Sequence, residues 1–297
     1  MKLEELLKNE KFQKLADMVR KFVKLCKKSS VERYVTERGF TETRKLCYRV
    51  LRRPIDELKM WEMYGKWDTE KSFYKRFVCT ANKYLAWLLK ELVKKDLAPP
   101  PFYKPPEVML EVETNSRICV CYSCASVGAY PVIHGHSPYS ARDVWVSQKD
   151  LLLAECYTEH DVPIEKIRRI YVDPEAEEET KKFVEEFCKK HGIELVWGFP
   201  EPDEESKKLM LELANYLAER SRKCMCTWST IPPDPIVSAL AEIYDQEFHK
   251  DEPLTLRCSC PIGASDAIYE HNKRARMSKF YSRKFGCEDP PETCDVP

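Results

Sequence analysis

Val108-Met109-Leu110-Glu111-Val112 and Ile167-Arg168-Arg169-Ile170-Tyr171-Val172 bound the stretch whose reading decides the fold. Inside it, apolar residues alternate or run in short blocks, which is strand periodicity. Residues 117–123, 130–134, 142–146 and 151–156 read as further strands, with turns at Ser137-Pro138 and Gln148-Lys149-Asp150. From 167 onward strands alternate with helices. A helix over 175–191 is stopped by Gly192, and a strand at 193–197 and a helix at 203–222 follow. Next come a strand at 224–230, a helix at 236–248, a strand at 254–260 and a basic helix at 264–283. This order predicts an α/β domain with a central mixed sheet.

Upstream the period reads as helical. Leu6, Leu7, Phe12, Leu15, Met18, Val19, Phe22, Val23 and Leu25 recur at spacings of three and four, predicting a helix over 3–28 that Ser29-Ser30 ends. Ser30 is placed to cap a second helix from Val31, and Thr41 follows the break at Gly39 to start another. Pro54 suits the first turn of a helix over 55–64. A long helix is expected from Asp68 or Thr69 to about Lys95, with Phe73, Phe77, Ala81, Tyr84, Leu85, Leu88, Leu89 and Leu92 as its buried stripe. The expected fold is therefore α+β overall, a helical bundle over 1–97 followed by the α/β domain over 107–286. Five prolines between 99 and 106 make residues 98–106 a stiff spacer. Residues 287–297 form a proline-rich tail.

The formal net charge is +0, yet residues 1–106 carry 26 Lys+Arg against 14 Asp+Glu, and residues 107–256 carry 16 against 29. A basic part joined to an acidic part points to a polyanionic partner for the first, here nucleic acid. Candidate contacts are Arg52, Arg53, Lys66, Lys71, Lys75 and Arg76, interleaved with Trp61, Tyr64, Trp67, Phe73 and Tyr74, because aromatics stack bases while cations hold phosphates. Lys273, Arg274 and Arg276 form a second basic group. No apolar run approaches about 18 residues, so no transmembrane helix is expected. The charged N-terminus is unlike a signal peptide, and the chain reads as soluble and cytoplasmic. Three Gln and 5 Asn among abundant Lys and Glu resemble the composition of a heat-adapted protein.

Fourteen cysteines then carry information. Three Cys-x-Cys pairs, Cys119/Cys121, Cys224/Cys226 and Cys258/Cys260, fall on expected strands, and Cys124 follows the first. On a strand, i and i+2 share a face about 6.5–7 Å apart, so adjacent strands would stack these pairs into a sulfur layer. Three states fit the pattern: a Zn²⁺ or iron–sulfur site built from Cys121, Cys124 and a second pair, structural disulfides, or buried free thiols. His134-Gly135-His136 adds a possible divalent-ion pair. It resembles the paired histidines of rolling-circle nickases, with Gly135 where that family carries a bulky apolar residue.

Ser140-Ala141-Arg142-Asp143-Val144-Trp145-Val146, followed by Leu151-Leu152-Leu153-Ala154-Glu155-Cys156-Tyr157, resembles the heart of restriction-endonuclease-like nucleases over about twenty residues. The resemblance implies that Asp143 and Glu155 hold Mg²⁺, which activates water and stabilises phosphorane charge, with Glu113 as an accessory carboxylate. Tyr157 stands where that family has a lysine. No phosphate-cradling glycine loop, dinucleotide fingerprint, serine-hydrolase elbow or zinc-deaminase pair occurs. The expectation is a nucleic-acid-binding or nucleic-acid-processing protein with Asp143, Glu155, Glu113 and Tyr157 as the catalytic set. The alternatives are a non-enzymatic assembly protein of a thermophile or its virus, and a zinc- or cluster-binding protein.

Overall fold

The computed structural model describes residues 3–68, 77–97, 104–114, 119–120, 150–158, 161–223 and 235–250. In chain order the elements begin with α1 (Leu3–Leu6), α2 (Glu10–Ser29), β1 (Val31–Val35), β2 (Thr41–Val50), α3 (Pro54–Tyr64), β3 (Lys66–Trp67) and β4 (Phe77–Thr80). There follow α4 (Leu85–Lys94), β5 (Val108–Thr114), β6 (Cys119–Val120), α5 (Asp150–Leu153), β7 (Glu155–Thr158) and β8 (Val162–Pro163). A 3-10 turn (Ile164–Lys166) leads into β9 (Ile167–Val172), α6 (Glu178–His191), β10 (Glu194–Trp197), α7 (Glu204–Lys223) and α8 (Pro235–His249).

The chain divides into two compact units, each assembled from separate stretches. Met1–Lys24, Cys121–Leu152 and Lys208–Pro297 form one, and its described residues are helical. Here α1 meets α8, and Arg20 pairs with Glu247 at 3.9 Å. Leu6, Phe12, Phe22, Leu213, Leu240 and Ile243 are among its buried apolar side chains.

Leu25–Val120 and Leu153–Lys207 form the other unit, built on an eight-stranded sheet in the order β10-β9-β5-β2-β4-β7-β6, with β1 on β2. Among the described residues β9 and β10 are the parallel pair, and α6 makes the crossover between them. The sheet is mixed, as the sequence predicts. One of its faces carries Leu46, Tyr48, Val50, Met109 and Tyr171, and α4 covers them with Leu85, Ala86 and Leu89. On the other side Trp61, Trp67 and Phe77 pack with ring centroids 5.2–5.9 Å apart, and the Arg49 guanidinium lies 4.5 Å from the Trp67 ring.

Local chemistry explains the element ends. Asn9 caps α2, its side-chain oxygen accepting from the N–H of Lys11 at 2.9 Å and of Phe12 at 3.2 Å. The Ser29 and Ser30 hydroxyls both donate to the Cys26 carbonyl where that helix stops. Pro54 opens α3, and Gly65 (φ 67°) closes it. Gly192 (φ 66°) ends α6, the stop read from the sequence.

The N-terminal helical bundle is replaced by a mixture of helix and strand. Residues 31–35 and 41–50 are strands, because Val31, Val35, Thr41 and Thr43 are β-branched and Gly39 (φ 78°) supplies the turn between them. Residues 77–80 are also a strand rather than the middle of a long helix. Phe77, Cys79 and Thr80 are all buried, because β4 lies inside the sheet between β2 and β7 and both its faces are covered. A strand buried on both faces shows no alternation, and its apolar run falls in step with a helical stripe. Conversely, 151–153 is a helical turn, joined to β7 through Ala154 in the left-handed region (φ 42°). β2 and β5 lie on either side of the proline-rich stretch and pair from Lys45↔Thr114 to Val50↔Met109.

Candidate nucleic-acid interface

β1 and β2 form a ribbon whose two faces differ. The register runs Val31↔Lys45, Glu32↔Arg44, Arg33↔Thr43, Tyr34↔Glu42 and Val35↔Thr41. Residues 41–44 pair with β1 alone among the described residues, since the β2–β5 pairing ends at Lys45. Period two then sorts the side chains. Glu32, Tyr34, Glu42 and Arg44 share one face and satisfy one another. Arg44 reaches Glu32 at 3.1 Å and lies 3.8 Å over the Tyr34 ring, while the Tyr34 hydroxyl donates to Glu42 at 2.7 Å. That bond and the Glu42 charge raise the Tyr34 pKa.

The outward face carries Val31, Arg33, Val35, Thr41, Thr43 and Lys45, all exposed and none acidic. Arg38 and Phe40 stand in the connecting loop beside the exposed Glu37, with Phe40 67% exposed. Among the described residues Arg33, Arg38 and Lys45 have no ion-pair partner. Three hydrogen bonds fix the loop: Thr36 N–H to the Phe40 carbonyl at 2.8 Å, Gly39 N–H to the Thr36 carbonyl at 2.8 Å, and Phe40 N–H to the Thr36 side-chain hydroxyl at 3.1 Å. The arrangement is an ordered cationic surface with hydroxyl donors at its centre. A second basic surface is the stripe Lys11, Lys14, Lys21, Lys24 and Lys28 along the exposed side of α2, interrupted by Asp17, which pairs with Arg20 at 2.8 Å.

The residues expected to bind nucleic acid are dispersed. Lys66 on β3 is paired with Asp161. Trp61 and Trp67 are buried core rings, so they offer no stacking surface. Arg52 and Arg53 are exposed at the start of α3, where their backbone N–H groups donate to Glu57 at 2.8 and 3.2 Å. They follow the far end of β2, of which the stretch from Lys45 to Val50 alone spans about 16 Å. Lys71, Lys75, Arg76, Lys273, Arg274 and Arg276 lie outside the described residues. Arg33, Arg38, Phe40 and Lys45 were not singled out from the sequence. The signal was present in the alternation of Val31-Glu32-Arg33-Tyr34-Val35 and Thr41-Glu42-Thr43-Arg44 around a five-residue loop containing Gly39.

Of the expected catalytic set, Glu113 sits on β5 and Glu155 and Tyr157 on β7, while Asp143 lies outside the described residues. β2 and β4 intervene between β5 and β7. Three strand spacings amount to about 14 Å, whereas carboxylates sharing Mg²⁺ each place an oxygen about 2 Å from it. Glu113 is instead surrounded by cations: Arg44 at 3.5 Å, Lys166 at 3.4 Å and Arg168 at 3.8 Å. The neighbouring Glu111 is buried and bonded to Arg169 and Tyr171, each at 2.8 Å. These are structural pairings rather than an open metal site.

Of the expected metal ligands, Cys119 lies on β6 opposite Tyr157. Cys121, Cys124, Cys224, Cys226, Cys258, Cys260, His134 and His136 lie outside the described residues. Among those described, no group of three or more His, Cys, Asp or Glu side chains is arranged to hold a metal ion. Among the described residues Cys47 and Cys79, on neighbouring strands, share a hydrogen bond; that bond and burial both push the Cys47 thiol well above its usual pKa. No helix among the described residues is long and apolar enough to cross a membrane. Comparison with protein-family models, curated proteins and solved structures gives no match for this chain.

Proposed function

We propose that this protein binds nucleic acid, and that the β1–β2 ribbon is a principal contact surface. The observation that carries the reading is the segregation of charge across the ribbon. Both acids of its paired strands lie on the inward face with Arg44, leaving Arg33 and Lys45 on a face that holds no carboxylate. The separation gives Glu32 its pairing with Arg44 on the inward face, and it leaves the outward face as a surface approaching phosphates requires, without like charge. Thr41 and Thr43 between the cations supply hydroxyls able to donate to phosphate or base. The net excess of cations over residues 1–106 acts in the same direction.

The test is titration of the full chain against labelled oligonucleotides at low and raised salt. Binding should weaken steeply with salt, and the triple variant Arg33→Ala/Arg38→Ala/Lys45→Ala should lower the log–log salt slope by about one per phosphate contact removed. Lys95→Ala, at the end of α4, serves as the control for charge alone. Binding that is absent at low salt, or equally strong in the triple variant, would rule out the ribbon as the contact. Hydrolysis forms no part of this proposal: two strands separate Glu113 from Glu155, and Asp143, the expected partner of Glu155, lies outside the described residues.

A further inference from the structure

We propose that the ribbon enters the major groove of B-form DNA, so that duplex DNA rather than a single strand or an RNA helix is the form this surface takes. The inference rests on the nucleic-acid reading above and narrows it to a substrate class. Four features of the ribbon point to a duplex.

The first is width. Paired strands lie about 4.7–4.9 Å apart, and the B-form major groove, about 12 Å wide, admits a two-stranded ribbon with its side chains. The major groove of an RNA helix is deep and narrow and closed to such an element. The second is the placement of charge. Arg33 belongs to β1 and Lys45 to β2, so the ribbon carries a cation on each strand. In a groove Arg33 would face one phosphate backbone, and Lys45, where β5 joins the sheet at Thr114, would meet the other at the groove's mouth. The same face holds Val31 opposite Lys45, Thr43 opposite Arg33, and Val35 and Thr41 toward the loop, whose methyls and hydroxyls suit thymine methyl groups and base-edge acceptors.

The third is what the face lacks. Proteins that hold single strands stack successive bases on aromatic rings. The paired stretches 31–35 and 41–45 have one aromatic ring, Tyr34, and it lies on the opposite face under the Arg44 guanidinium with its hydroxyl bonded to Glu42. Phe40 in the loop is a single ring and makes no platform. The fourth is order. The loop bonds of Thr36, Gly39 and Phe40 hold the tip before any ligand arrives, which lowers the entropy lost on insertion.

The experiment uses the full chain with three probes of one sequence: DNA duplex, RNA duplex and single-stranded DNA. Anisotropy titrations at one low salt concentration should give DNA-duplex affinity about tenfold or more above either other probe. Dimethyl sulfate footprinting should show protection of guanine N7, which faces the major groove, and Arg33→Ala/Lys45→Ala should remove it. Both substitutions are at exposed positions, and an unchanged thermal melt confirms that the variant folds. Equal affinity for single-stranded DNA, or protection confined to adenine N3 in the minor groove, would overturn the groove assignment while leaving nucleic-acid binding intact. Failure to bind all three probes would remove the underlying reading too. A dimer that Val35→Glu disperses, with no probe bound, would reassign the ribbon to a second copy of this chain and overturn both.

Discussion

Arg169 on β9 donates to Glu111 on the adjacent β5 at 2.8 Å, across a register that sets the two residues directly opposite each other. Two residues along β9, the Tyr171 hydroxyl donates to the other Glu111 oxygen, also at 2.8 Å. One strand thus satisfies both oxygens of a carboxylate that is only 1% exposed. Arg169 also reaches Glu194 on β10 at 2.8 Å, so a single guanidinium ties three neighbouring strands together. Burial and the nearby Glu111 charge, with its hydrogen bond, raise the Tyr171 pKa and keep the hydroxyl a donor.

Arg169→Ala should therefore destabilise the sheet by about 3 kcal/mol, since it leaves Glu111 buried with one partner. The low end of the range for broken buried pairs applies, because the Arg169 side chain is 33% exposed. Glu111→Gln, which keeps two hydrogen-bonding positions without the charge, should cost less. Denaturant unfolding measures both. An Arg169→Ala variant within about 1 kcal/mol of the parent would show that water already solvates this carboxylate.

The ribbon's loop makes a local prediction. Gly39 has φ 78° and nothing lies within 4 Å of an added Cβ, so the penalty for Gly39→Ala is backbone strain alone. That strain is about 1–2 kcal/mol, enough to raise amide exchange across Val31–Val35 about tenfold while the global melting temperature stays unchanged. Unaltered protection in that strand would mean that the loop does not hold the ribbon's register.

How legible these features were depends on what each element buries. β9 and α6 were read correctly because one is a block of buried apolar residues between turns and the other ends at a glycine in the left-handed region. β1 and β2 read as helix because Arg33, Lys45 and the glutamates are good helix formers. Their strand character rests on the β-branched alternation and on the pairing that the turn at Gly39 sets. β4 failed for the opposite reason, being buried on both faces, so Phe77 and Ala81 happened to fall in step with the true helical residues Leu85, Leu88 and Leu89. The basic bias of residues 1–106 was visible, but which cations stand free of acids was not. Lys66 and Arg49 look like Lys45 in sequence, yet Asp161 and Glu57 neutralise them.

Alkaline pH should weaken the fold through its buried thiols. Burial pushes Cys188 on α6 up to about 12, and burial also raises Cys26 well above its usual value. A raised folded pKa means that the native state holds its proton more tightly than the unfolded chain. The contribution is complete below the unfolded thiol pKa of about 8.5 and is lost progressively above it. Melting temperature should fall as pH rises past about 8.5, and Cys188→Ala should flatten that fall while lowering the plateau. The same burial predicts that Cys26, Cys47, Cys79 and Cys188 resist a maleimide until denaturant is added. Prompt labelling of any of the four in the native protein would contradict their placement.

The last prediction concerns Lys90 on α4, which fastens that helix to the end of β9. Its ammonium lies 2.7 Å from Asp173 and 2.8 Å from Glu175, and Asp173 is itself buried. Burial alone would lower the Lys90 pKa, but the hydrogen bonds to Asp173 and Glu175 outweigh it, and the net shift is upward. The bridge therefore stabilises fully below the unfolded lysine pKa of about 10.4 and fades only as pH climbs beyond it. At neutral pH, Lys90→Met keeps most of the aliphatic packing but removes the charge. Asp173 would then retain the Glu175 N–H at 2.9 Å as its remaining bond among those described. The expected loss is about 2–3 kcal/mol, below the figure for a fully buried pair because Lys90 is 23% exposed. Lys90→Met/Asp173→Asn, which removes both charges together, should recover part of that loss, and the double-mutant cycle isolates the coupling between the two residues. A double variant no more stable than Lys90→Met would show that Asp173 is held by its backbone contacts and that the lysine adds only packing.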